Sequence, residues 1–178
     1  MLIGFIRRGS LHRLGEAPLR YSYLFLLPIV IFAGVYTAAG VSGDLRWVPY
    51  VRVANIGQYM VLVIAILLNL RIRHMWMAGV GTFLNFLAVA ANGGVMPISE
   101  KAIRIAGLTE LLSPERTTRF VRHAIMTPET RLKLLTDVIP IPAQSIVFSE
   151  VVSIGDVMIA IAVFIIVQVY MCAPAPTR

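Results

Sequence analysis

Residues 21–40 read YSYLFLLPIVIFAGVYTAAG, twenty positions without a charged side chain. A helix needs about 20 predominantly apolar residues to cross the hydrocarbon core of a bilayer, so this stretch is long enough to span one. It follows Arg20 and has the flavour of a signal peptide, but it exceeds the roughly 7–15-residue apolar region of a signal. Further uncharged runs cover 53–70, 75–91 and 157–172. The first of these is long enough as it stands, whereas the last two need their polar ends. The reading is an all-α integral membrane protein with four transmembrane helices at about 21–40, 53–72, 74–91 and 153–172. They form a single polytopic domain over 1–178, with an outer loop at 92–152.

Composition supports lipid as the solvent. Of 178 residues, 58% are hydrophobic and 14% charged, and the mean hydropathy is +0.80. Soluble domains carry nearer a quarter charged residues. Disorder, a collagen-like fibre and a disulfide scaffold are all excluded. The single cysteine, Cys172, rules out an intramolecular disulfide, a CxxC metal site and a CxxCH haem attachment.

The net charge of +7 would suggest nucleic acid in a soluble protein, but cytoplasmic loops of membrane proteins collect Lys and Arg. No nucleic-acid partner is expected. Arg7, Arg8, Arg13, Arg20, Arg71, Arg73 and Arg178 flank one side of the spans against Glu16 alone. The 41–52 loop nets +1, and 92–156 holds seven basic and seven acidic residues. Both termini are therefore predicted to be cytoplasmic and the long loop external.

Three helix-start signals punctuate that loop: Ser99-Glu100, Ser113-Pro114-Glu115 and Thr127-Pro128-Glu129. A cap residue, a first-turn proline and an acid at the positive end of the dipole favour short helices. They are expected to be amphipathic and to lie on the membrane surface. Pro140 and Pro142 then enforce extended chain.

Three motifs, in order, carry a resemblance. Span three runs into Asn92-Gly93-Gly94-Val95-Met96-Pro97. An Asp137-Val138-Ile139-Pro140-Ile141-Pro142 element precedes span four, which opens with Ser153-Ile154-Gly155-Asp156-Val157. Together they resemble an uncharacterised family of small bacterial multi-pass membrane proteins, a domain of unknown function. The resemblance implies the bacterial cytoplasmic (inner) membrane and no particular activity.

Six residues are candidates for a ligand site. Asp156 lies three residues after Ser153, the spacing of a capping box, and an intramembrane acid is also a functional candidate. Asp137 stands among apolar neighbours, where it can form an Asx turn or face a ligand. Asn92 with two glycines reads as a helix stop, and as a place where a ligand can approach. Arg116, Arg119 and His123 share one face of a predicted surface helix. That face suits snorkelling to lipid headgroups, or an anionic ligand. Asn69, Asn85, Gln58 and Gln168 read as interhelical hydrogen-bond glue, and Gly79-Val80-Gly81 permits close helix approach. Neither a metal nor a cofactor is expected. His12, His74 and His123 do not supply facing haem ligands at matched depth, and HExxH, Walker and GxSxG patterns are absent.

Two functions follow. The first is a non-catalytic accessory or scaffold subunit of a larger membrane complex, or a small homo-oligomer, partnered by lipid and by other subunits or itself. The alternative is a membrane-embedded enzyme or transporter acting on a lipid or anionic ligand at the outer interface.

Overall fold

The computed structural model describes residues 2–42, 45–112, 123–142 and 150–172. Two short helices, α1 (Leu2–Ile6) and α2 (Leu11–Gly15), precede α3 (Tyr23–Ser42), α4 (Val48–Leu67) and α5 (Met75–Ala91). A capping region of short elements follows, and α7 (Ile154–Met171) closes the chain after α6 (Glu100–Ile105). The fold is mostly helical. Among the described residues, α4 and α7 are long and apolar enough to cross a membrane.

The long helices pack in the order α3, α4, α5, α7. The second run begins at Val48 rather than Val53, because Pro49 fits the first helical turn and Arg52 interrupts the apolar run without interrupting the helix. At the far end of α4, the Asn69 carboxamide holds the chain entering α3. Arg20 N–H donates to Asn69 Oδ1 at 2.7 Å, and Asn69 Nδ2 donates to the carbonyls of Arg20 at 2.9 Å and Ala65 at 2.7 Å. Ser10 N–H donates to the Met171 carbonyl at 3.0 Å. The N-terminal segment, the α4–α5 turn and the end of α7 therefore meet at one end of the bundle.

The interior is mixed and the exterior apolar. Asn55, Asn69, Thr82, Asn85, Ser153 and Gln168 are buried beside apolar clusters, while Leu26, Ile29 and Val30 of α3 are each more than 60% exposed. The expected interhelical hydrogen bond of Gln168 does not form among the described residues.

The loop after α5 departs from the sequence expectation. α6 forms as predicted, with the Ser99 side chain accepting from Ala102 N–H. Its Ala102, Ile103 and Ala106 face, however, packs under Val151, Ile98 and Leu111 in a core of its own rather than on lipid. Four three-residue strands complete this cap: β1 (Met96–Ile98), β2 (His123–Ile125), β3 (Ile139–Ile141) and β4 (Glu150–Val152). β1 and β2 pair in parallel, β3 and β4 antiparallel. The expected run of surface helices is thus corrected: backbone pairing across the cap satisfies groups that a buried coil would leave open. Thr127-Pro128-Glu129 starts a turn, not a helix, closed by Thr130 N–H to the Thr127 carbonyl at 3.2 Å. A side-chain hydrogen bond from Thr127 holds the Glu129 carboxyl below its usual range. The Ser113 signal lies outside the described residues.

Gly81 and Gly155 bring α5 and α7 together. A Cβ on Gly81 would stand 2.5 Å from the Gly155 carbonyl oxygen, and one on Gly155 would overlap Asn85 and stand 2.6 Å from the Gly81 carbonyl. Gly155→Ala is expected to destabilise the fold by about 1–3 kcal/mol, since overpacking here meets backbone. Thermal unfolding in detergent measures it; an unchanged midpoint would exclude this packing.

Candidate functional site

The site begins with the start of α7. Ser153 caps the helix in a capping box: Asp156 N–H donates to Ser153 Oγ at 2.9 Å, and Ser153 N–H returns to Asp156 Oδ2 at 3.0 Å. The glycine at 155 leaves space for Asn85 of α5 to enter this box. Asn85 Nδ2 donates to Asp156 Oδ1 at 2.7 Å. The Ser153 hydroxyl lies 2.7 Å from Asn85 Oδ1 and 2.8 Å from Asp156 Oδ2, with one proton to share between them. Asp156 also lies in the first turn of α7, where the helix dipole favours its charge.

Beside this knot lies a cavity of about 230 Å³. Asn55 and Tyr59 line it from α4, Asp156 from α7, and Met96, His123, Asp137, Glu150 and Val151 from the cap. Asp137 reaches it because its backbone is docked beside β1: Asp137 N–H donates to the Pro97 carbonyl at 3.0 Å, and Ser99 N–H to the Asp137 carbonyl at 2.9 Å. The residue is only 4% exposed. His123 stands on β2, on the other side of β1, with Nε2 3.6 Å from Asp137 Oδ2. Asn55 is held by its own bonds, donating to the Gly94 carbonyl at 2.8 Å and accepting from Gln58 Nε2 at 2.5 Å.

Three of the six sequence candidates, His123, Asp137 and Asp156, therefore converge on one cavity. Asn92 does not join them. It is a staple: Nδ2 donates to the carbonyls of Ala88 at 2.7 Å and Arg131 at 3.0 Å, and Oδ1 accepts from Arg131 N–H at 2.9 Å. The expected surface helix through His123 is corrected, because His123 pairs as strand with Met96. Arg116 and Arg119 lie outside the described residues. Sequence reasoning missed Asn55, Tyr59 and Glu150. The first two are one turn apart on α4 beside Gln58, a polar patch within an apolar span that the spacing alone could have flagged.

Among the described lining residues are three carboxylates, one imidazole and no Lys or Arg. Such a lining raises the local concentration of cations and repels anions. Among the described residues no three His, Cys, Asp or Glu side chains stand close enough to hold a metal ion.

Asn85→Ala is expected to cost about 2–3 kcal/mol, because Ser153 and Asp156 lose a buried partner, and Ser153→Ala about 1 kcal/mol, the usual loss of a cap. The two should combine with strong non-additivity in a double-mutant cycle read by unfolding in detergent; additive losses would mean the groups are uncoupled. Asn92→Ala is expected to accelerate tryptic cleavage after Arg131 while the bundle persists, checked by timed digestion.

Comparison with known proteins returned no curated protein and no solved structure that matches. The profile of a family of unknown function, DUF5317, matches residues 16–168, and the chain belongs to that family.

Proposed function

We propose that the chain is a four-span protein of the bacterial cytoplasmic membrane that binds a small basic solute in the cavity beneath its outer cap. The observation that carries this reading is the convergence of Asp137, Glu150 and Asp156 with His123, Asn55 and Tyr59 around one cavity. Ligand sites of bundles are commonly built between helices, with a small number of convergent polar groups fixing the ligand. A cationic group fits better than the anionic ligand expected from Arg116 and Arg119, because three carboxylates and no described Lys or Arg line the cavity. Binding rather than turnover is proposed because Asp156 is engaged as a helix cap by Asn85 and Ser153.

The membrane placement is supported by the apolar exterior of the bundle, and by α4 and α7. α3 and α5 complete the four spans of the proposal. The described flanking arginines Arg7, Arg8, Arg13, Arg20, Arg71 and Arg73 lie in the N-terminal segment and the α4–α5 turn, which meet at one end of the bundle, and this supports a cytoplasmic assignment for that end. The accessory-subunit reading drew on close-approach glycines, and Gly79 and Gly81 are accounted for by packing inside the chain against Ile66 and Gly155.

Gentle extraction followed by native mass spectrometry tests the reading. A small basic molecule that co-purifies with the wild type and is lost from Asp137→Asn/Glu150→Gln supports it. Stoichiometric protein partners with an empty cavity would overturn it in favour of the accessory subunit. The topology has its own check in thiol labelling of intact cells. A membrane-impermeant maleimide should modify Lys101→Cys on the cap directly, and Cys172 only after permeabilisation; the reverse order would invert the protein.

A further inference from the structure

A second opening lies in the opposite half of the bundle. α3 packs against α4, while α7 packs against α5. Between them remains an apolar cleft of about 490 Å³, walled by Phe25 and Leu26 of α3, Leu62 of α4, Thr82 of α5, and Val163 and Ile166 of α7. Its floor continues into the buried cluster of Ile66, Ile72, Met75, Ala78 and Ala162. Left empty, such a slot forfeits the dispersion contacts of every atom lining it.

The mouth of the cleft begins at Leu19 and Ser22. Arg20 lies between them in sequence, and the Asn69 carboxamide fixes its backbone to the α4–α5 turn. That turn carries Arg71 and Arg73, and all three arginines are exposed. The turn has no acid, and Glu16 stands 3.5 Å from His12. The cleft is thus a hydrocarbon slot whose mouth lies at the end of the bundle that presents three cations.

We infer that the cleft holds one acyl chain of an anionic phospholipid, whose phosphate is met by Arg20, Arg71 and Arg73. The cleft is walled almost entirely by apolar side chains, which suits a hydrocarbon chain rather than water. Charge complementarity selects the headgroup: basic residues just inside a membrane attract anionic lipid over zwitterionic lipid. The inference rests on the membrane placement proposed above and is independent of the solute in the outer cavity.

The test uses the full chain in nanodiscs of phosphatidylglycerol mixed equally with phosphatidylcholine, with native mass spectrometry of the released protein. The expected result is one retained phosphatidylglycerol. Arg20→Gln/Arg71→Gln/Arg73→Gln should reduce its preference over phosphatidylcholine roughly tenfold or more. Val163→Trp, which fills the cleft from an exposed position, should abolish retention of either lipid. Leu26→Trp serves the same purpose from α3 should the first variant not fold. Equal retention of both lipids, no retained lipid, or a dimer in place of the adduct would each overturn the inference while leaving the membrane reading intact. A chain that stays monodisperse without detergent or lipid would overturn the membrane reading itself.

Discussion

The joint between α5 and α7 is the constraint on which the rest of the molecule depends. Asn85, Ser153 and Asp156 satisfy one another inside an apolar bundle, where an unpaired amide or carboxylate is expensive. Close approach of the two backbones at Gly81 and Gly155 makes the contact possible. This joint fixes where α7 starts, and α7 follows directly on β4. The position of Glu150 and Val151, and with it one wall of the cavity, is set by a hydrogen-bonded knot one turn away.

The long helices were legible in the sequence because each coincides with a long uncharged apolar run. Four helices lie where four uncharged runs lie. Their ends were displaced wherever a helix tolerates what a run does not, as with Arg52 in the first turns of α4. The capping box was legible too, since Ser153 and Asp156 are neighbours in sequence and their bond is local. In the cap, α6 was legible from its Ser99 cap, but the strands were not. They are three residues long and pair across gaps of many residues, so no periodicity announces them. Asp137 and His123 come together only through β1, which touches both and is contiguous with neither. The cavity is a product of non-local pairing, and single-residue chemistry could nominate its members without assembling them.

The two openings differ in lining: one is walled by carboxylates, an imidazole and an amide beneath the cap, the other by apolar side chains between α3 and α7. Asn69 and Asn85 do comparable work at the two ends, each using a single carboxamide to tie together chain segments distant in sequence.

The placement of β4 immediately before α7 sets an order on biogenesis. The cap's second strand pair is missing a member until residues 150–152 leave the ribosome, and the knot that anchors them needs the start of the final helix. Among the described elements, the earlier helices can form while the cap is still unfinished, and α7 is therefore also its latch. A chain cut short before α7 would display the unpaired strand Ile139–Ile141, a signal by which incomplete copies can be distinguished from finished ones.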